Sequence, residues 1–297
     1  MIFKLFIPVF ILISLITSGV YAKEESPQES DQQISDFSLT GFGEKGKKTW
    51  DLTGKSADIF NEIIKLKDII GNLYGEKEDI KLSADRGDFN KVDGKMHVEQ
   101  NVVITTSSGA KLTTDSLDWD RKNNTVATKD LVNVEKEDMV TTAYGATGYP
   151  NLNKLNFDKN VTVEISPQKA EDPPQTAKDN KIVITCDGPL EIDYENNIAT
   201  FNNNVKVDRP DSQIYSDTMD VYFILDKDTD KSEKATTLMG TKIEKIIARG
   251  NVKIIRGENI SYSDQAIYTS SEKKITLLGK PKLIIYSTED LKASFGN

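Results

Sequence analysis

The stretch MHVEQNVVI, residues 96–104, decides the fold because its apolar residues recur with a period of two. Polar residues occupy most of the intervening positions. This alternation is typical of a strand in a sheet that has one apolar face and one wet face. The residues on the apolar face are Met96, Val98, Val102 and Ile104.

The same alternation recurs in four later stretches, at residues 155–165, 182–194, 246–254 and 275–285. No stretch after residue 35 carries a convincing helical stripe. Residues 58–70 could be argued as a helix, but Ile64 and Leu66 fit a strand equally well. The sequence therefore predicts an all-β chain.

Asn-Val pairs, together with equivalent positions at Val132 and Leu283, mark a repeat of about 30 residues, which is longer only where the linker or the charged loop intervenes. We expect each pair to end a strand and the repeat unit to be a long hairpin, with units stacked by edge pairing. Such a winding predicts a half-open roll with an apolar interior and unpaired edges at its two ends. The pairs are Asn101-Val102, Asn160-Val161, Asn204-Val205 and Asn251-Val252.

Changes of composition divide the chain into five parts. Residues 1–22 are expected to form an apolar helix that serves as a signal peptide or membrane anchor, and residues 23–35 are a polar tether. Residues 166–180 contain three prolines and are expected to link two domains, 36–165 and 181–297. A charged stretch at 226–234 predicts an exposed loop.

The N-terminal segment leaves two possibilities open. Residues 5–22 are 18 uncharged residues, which is just long enough to span a membrane. Val20-Tyr21-Ala22 offers small residues for cleavage by a signal peptidase. We favour a retained anchor, and under both interpretations the rest of the chain is exported.

The charge and the reactive residues argue against several functions. A net charge of −9 argues against nucleic acid and requires a lipid partner to be held by its apolar part. The only cysteine, Cys186, is expected to be a buried strand residue, and the only histidine, His97, an exposed one. Recurring aspartates at 115, 217 and 264 are interpreted as strand-start and turn residues, not as a catalytic row. We therefore expect no enzyme activity, metal or cofactor.

Two families resemble this chain over nearly its whole exported length. Residues 37–165 resemble the LptC family at Trp50–Ala57, Ser83–Gly87, Asn101–Ile104 and Gly109–Trp119. Residues 181–286 resemble the OstA-like domain of the LptA family. That resemblance rests on residues 201–207, 248–252 and 262–268.

The resemblance implies two slightly twisted, half-open β-jellyroll domains of the OstA-like type. It also implies a periplasmic component that takes lipopolysaccharide from inner-membrane ABC transporter permeases of the Lpt system. The lipid would pass to an LptA-like or outer-membrane Lpt partner joined by edge-strand pairing. A second OstA-like domain departs from the LptC pattern. The LptC-like part that donates the lipid and the LptA-like part that accepts it would therefore be fused in this chain.

The predicted lipid-binding residues are the inward apolar residues of both domains. Ordinary core packing is the alternative for each residue taken singly. The edges at 37–41 and 282–286 are expected to dock partners by strand addition. In the first domain the lipid-binding set is Leu82, Met96, Val98, Val102, Ile104, Leu117, Trp119, Val132, Val134, Phe157 and Val161; in the second it is Ile184, Ile192, Phe201, Val205, Met219, Val221, Ile246, Val252, Ile254 and Leu283.

Two other classes remain open at this point. A parallel β-helix surface or polysaccharide-binding protein would also carry Asn-Val ladders, although its coils are usually shorter. A structural periplasmic scaffold would have the same fold and no lipid cargo. Binding of lipid A by the purified protein separates the scaffold from a lipid carrier.

Overall fold

A computed structural model describes residues 31–43, 46–75, 78–120, 122–149, 152–166, 181–225, 237–238 and 241–286. These residues form 18 β-strands and no α-helix. The predicted N-terminal helix and most of the 166–180 linker and the 226–234 loop lie outside the described residues. The strands are β1 Gln32–Phe42, β2 Lys48–Ile59, β3 Ile63–Tyr74, β4 Asp79–Asn90, β5 Lys95–Thr106, β6 Lys111–Asp120, β7 Thr125–Lys136, β8 Met139–Tyr149, β9 Lys154–Ile165, β10 Ile182–Cys186, β11 Leu190–Asp193, β12 Ile198–Arg209, β13 Ser212–Leu225, β14 Thr237–Leu238, β15 Thr241–Arg256, β16 Asn259–Thr269, β17 Lys274–Leu278 and β18 Lys282–Ile284.

The strands form one antiparallel sheet in which nearly every strand pairs with its neighbours in sequence. β10 and β11 lie end to end between β9 and β12. β17 and β18 lie end to end beside β16. Every described pairing is antiparallel, so the alternative of a parallel β-helix is wrong.

Most of the long strands bend at their middle. The ladder of hydrogen bonds shifts register there, for example between Glu99 and Val102 of β5. Residues with positive φ occupy the bends, including Asn101 (φ 52), Asn204 (φ 52) and Asn251 (φ 46). Asparagine suits this position because it tolerates the left-handed conformation better than most residues with a side chain. The bend divides each long strand into two halves.

Side-chain hydrogen bonds connect the bends of adjacent strands on the outside of the sheet. The amide of Asn101 donates to Asp85 at 2.6 Å, and that of Asn204 donates to Asp187 at 2.5 Å. Asn251 donates to Asp217 at 2.9 Å. These bonds explain why Asn and Asp recur along the sequence with the period of the strands.

This geometry corrects three expectations from the sequence. The Asn-Val pairs lie in the middle of strands and not at their ends. The aspartates at 115, 217 and 264 also lie inside strands, so they are neither strand-start nor turn residues. β1 begins at Gln32, inside the segment assigned to the tether, because Gln33 pairs with Asp58 and donates a hydrogen bond to it at 2.8 Å.

The halves of the bent strands form two arms. Arm A contains the half-strands that carry Val98, Leu117 and Phe157, and arm B contains those that carry Val102, Val132 and Val161. Inward residues from both arms pack together in two hydrophobic clusters. The sheet is therefore folded about its line of bends, consistent with a β-jellyroll, and its inner surface is a trough.

The sheet continues across the predicted boundary between the two domains. β9 ends at Ile165, and Ile182 of β10 lies directly opposite it. The larger cluster contains residues from both sides, from Val132 to Ala266. The two predicted domains thus share one sheet and one cluster, and their division into folding units stays a prediction.

Candidate lipid-binding trough

One row of inward residues runs along arm A across 14 strands. Each member lies opposite the next in the adjacent strand. No member carries a charge, so the row is an uninterrupted apolar lining. In order the row is Ile59, Ile64, Phe89, Met96, Trp119, Val126, Gly148, Leu155, Ile192, Ala199, Val221, Ile246, Tyr268 and Ile275.

A matching row runs along the inner surface of arm B. It also passes from strand to strand through direct pairs, and only two of its members are hydroxyl residues. The two rows give the trough two apolar walls. The arm B row is Leu39, Leu52, Gly71, Leu82, Ile104, Leu112, Val134, Thr141, Val163, Ile184, Val207, Ile214, Ile254, Ser261 and Leu283.

Burial along the two rows divides the trough into three sections. In the first open section, on β2 to β6, the row residues are partly exposed, and Trp119 is 36% exposed. In the packed section, which spans β7 to β12 in arm B and β11 to β13 in arm A, the row residues are buried, as shown by Val163 at 1% and Val221 at 1%. In the second open section, on β15 to β18, exposure rises again and reaches 58% at Leu283.

The packed section has almost no free volume. A cavity of about 10 Å³ lies between the arms there, lined by Met139, Thr141 and Val163 from arm B and by residues of β11 and β12 from arm A. A water molecule alone needs at least about 10–15 Å³, so no acyl chain fits in this cavity. The apolar lining is continuous, but the open space is not.

The structure places 19 of the 21 predicted lipid-binding residues in or against the two clusters. Trp119 lies in the arm A row in the first open section, and Leu283 lies in the arm B row on the last strand. The prediction therefore found inward residues correctly, and their contact with lipid stays a prediction. Most of the predicted residues are buried at the bend or in the packed section, while few of them line the two open sections.

Sequence reasoning missed several residues that line the first open section. Ile59, Ile64 and Phe89 extend the arm A row, and Leu52 and Leu112 extend that of arm B. The signal is present for four of them, because Ile59, Ile64, Phe89 and Leu112 each lie two residues from a buried residue in their half-strand. For Ile59 and Ile64 the signal is obscured because the pattern of residues 58–70 fits either a helix or a strand.

The outer face is polar and strongly hydrogen-bonded. Asp51 of β2 accepts hydrogen bonds from Asn72 at 2.7 Å and from the Tyr74 hydroxyl at 2.7 Å, and Lys48 lies 2.5 Å away. The bond to Lys48 contributes most to lowering the pKa of Asp51 to about 2. Asp51 lies on the outer face of arm B, and Arg249 donates to Asp220 on the outer face of arm A. These contacts stabilise the sheet and bring no reactive groups together.

The residues of potential chemical interest are structural. Cys186 is buried, and burial raises the pKa of its thiol, which disfavours the reactive thiolate. His97 points outward and contacts Asp118 at 2.7 Å. Burial raises the pKa of Tyr194 to about 12, and its ring packs edge-on against Phe223. Among the described ranges, no group of three acidic, His or Cys residues is placed to hold a metal ion.

The folded sheet and its apolar rows define an all-β protein that encloses an open-ended trough. The family described as lipopolysaccharide-assembly, LptC-related, matches residues 5–166, which is more than half of the chain. The chain therefore belongs to this family. A second family, described as LptA/(LptD N-terminal domain) LPS transport protein, matches residues 184–294. No curated protein matches the chain.

The two matches meet at the junction between β9 and β10, so the resemblance to LptC and to the LptA domain is confirmed. Membership of these families gives the chain a role in lipopolysaccharide transport and a periplasmic location. Within the part of the chain that the structure describes, no helix is long and apolar enough to cross a membrane. The segment predicted as an anchor, residues 5–22, lies outside that part.

Proposed function

We propose that this protein binds the acyl chains of lipopolysaccharide in its trough and passes them from the inner-membrane transporter toward the outer membrane. The observation that supports this most is the pair of apolar rows that face each other along the whole sheet. The predicted lipid-binding residues lie on these rows or at the bend between them. The protein acts as a carrier and not as an enzyme.

The physical basis of binding is removal of acyl chains from water. Each methylene group that is buried contributes about 0.8 kcal/mol, so several chains bind without any charged contact. This suits a protein with a net charge of −9, which would repel the phosphates of an anionic lipid. The polar part of the lipid would remain outside the trough.

The ends of the sheet would dock partners by strand addition. Among the described strands, β1 pairs only with β2, and β18 pairs only with β16. Leu39 and Phe42 on one edge and Leu283 on the other are exposed apolar residues that a partner strand would cover. We assign β1 to the transporter side and β17 with β18 to the LptA-like or outer-membrane partner, with residues 5–22 as the inner-membrane anchor.

Complementation with charged variants tests this function. In cells that lack the native gene, Met96→Asp and Ile104→Asp would place a carboxylate in each wall of the first open section. The matched controls Lys95→Asp and Thr105→Asp alter the outward neighbour on the same strand. We expect the inward variants to reduce lipopolysaccharide at the cell surface and the outward variants to leave it unchanged. Equal export by all four folded variants would support a scaffold without lipid cargo.

A further inference from the structure

The trough differs in accessibility along its length, although its lining is uniform. Thr141, Val163 and Val207 in the arm B row are buried, and so are Ile192 and Val221 in the arm A row. Row residues on both sides of this stretch are partly exposed. The packed section coincides with the junction between the two family matches, at residues 166 and 184.

We propose that the trough contains two separate acyl-binding sites, one in each open section, with the packed section as a closed barrier between them. This inference rests on the proposed function and adds a second site to it. The first site lies between residues such as Met96 and Trp119 in arm A and Ile104 in arm B. The second lies between Ile246 and Tyr268 in arm A and Ile254 in arm B.

A polar feature lies at the base of the second site, on β16, and at its border with the packed section, on β13. The hydroxyls of Ser216 and Ser263 are buried at the bend, and neither has a hydrogen-bond partner among the described residues. Both lie in arm B at the inner line of the bend, where Ser216 is opposite Val205 and Ser263 is opposite Val252. Buried hydroxyls without a partner are unfavourable, and a ligand that carries an oxygen acceptor would satisfy them.

At the equivalent bend in the first half, no hydroxyl of this kind is found among the residues that the structure describes. Thr114 and Thr128 are buried there, and their hydroxyls contact each other at 3.2 Å. The first site is thus apolar along its base, while the second offers two donors. This difference supports two sites that bind different parts of a lipid, or successive lipids, rather than one uniform channel.

The barrier implies that a lipid crosses the junction only when the arms separate. The packed section has a dense core, with Phe157 and Phe201 fully buried beside the row residues. Interiors of this density have no room for an added chain unless side chains move apart. Occupancy of one open section therefore does not require occupancy of the other.

Tryptophan quenching in the full-length protein tests this arrangement. The probe is a doxyl-labelled stearate, whose nitroxide quenches a tryptophan that its chain contacts. Trp50 and Trp119 are the only native tryptophans, so the Trp50→Phe variant reports the first site through Trp119. In a background that also carries Trp119→Phe, Tyr268→Trp reports the second site. Phe201→Trp and Phe223→Trp each report the packed section, so one of them suffices if the other misfolds.

We expect saturable quenching of Trp119 and of the Tyr268→Trp variant, with little quenching of either packed-section variant. Adding Met96→Asp should weaken binding at the first site by about tenfold and leave the second within about twofold. Quenching at all four positions would show one continuous site and overturn the proposal, as would quenching of Trp119 alone. In both cases acyl binding itself would stand. Quenching at none of them would overturn acyl binding as well.

Discussion

Ile182 at the start of β10 lies directly opposite Ile165 at the end of β9, two residues before the second family match begins at Ile184. The pairing continues through Val163 with Ile184 to Val161 with Cys186. A strand of the LptA-like half therefore extends the sheet of the LptC-like half within one chain. The same type of contact is what we propose for partners at the two outer edges.

The first prediction concerns this junction. Replacing residues 167–180 with Asn-Gly would leave Ser166 and Lys181 to flank a two-residue hairpin turn, which suits antiparallel strands. We expect the shortened chain to fold and to melt in a single transition near that of the native chain, measured by circular dichroism. Two separate transitions in either protein would contradict a shared core.

A second prediction concerns the bend in β15. Gly250 has a φ of 74°, and an added Cβ would collide with the carboxylate of Asp217. Gly250→Ala should cost about 3 kcal/mol, because the strained backbone is combined with loss of the hydrogen bonds between Asp217 and Asn251. Urea denaturation measures this difference.

The matched control for that variant is Gly257→Ala. Gly257 also has positive φ, at 58°, but an added Cβ there meets nothing within 4 Å. Its cost should stay near 1 kcal/mol, which is the backbone contribution alone. If both variants lose the same stability, crowding at the bend is not important.

The third prediction compares the packed and open sections directly. Phe157 is fully buried in the packed core, while Phe89 lines the first open section and is partly exposed. Phe157→Ala should therefore cost about 3–5 kcal/mol in free energy of unfolding, and Phe89→Ala only about 1–2 kcal/mol. Similar losses in urea denaturation would mean that the first section is as closely packed as the middle.

The fourth prediction concerns pH. The pKa of Asp51 is lowered from 3.8 to about 2 by Lys48 and its other partners. A lowered pKa means that the ionised carboxylate stabilises the folded state above pH 4 and that this contribution is lost as the pH falls toward 2. Asp51→Asn should lower the melting temperature at pH 7, and the difference from the native chain should disappear near pH 2. A difference that persists unchanged at pH 2 would show that the charge is not responsible.

The sequence predicted the class of fold and the inward face of each strand because alternation needs only local information. Met96, Val98, Val102 and Ile104 indeed share one face, although a bend separates the second from the third. The bend itself was not predicted, since Asn101 was interpreted as the end of a strand. The apolar residues keep an even spacing across the bend, because the positive-φ residues there leave the next side chain on the same face. This even spacing hides the bend in the sequence.

The division of the trough into open and packed sections could not be predicted from the sequence. Met96 and Val163 are both apolar residues at alternating positions, yet the first is partly exposed and the second is buried. Their difference depends on how closely the opposite arm approaches, and residues far away in sequence determine that distance. Local patterning identifies the lining of a trough and leaves its width unspecified.

The most direct measurement of lipid binding is photo-crosslinking at two adjacent residues in living cells. Trp119 faces into the first open section, and Asp118 beside it faces outward with a side chain that is 69% exposed. A photoreactive amino acid at position 119 should yield adducts with lipopolysaccharide, and one at position 118 should not. Absence of adducts at 119, or equal adducts at both positions, in cells that export lipopolysaccharide would contradict binding in the trough.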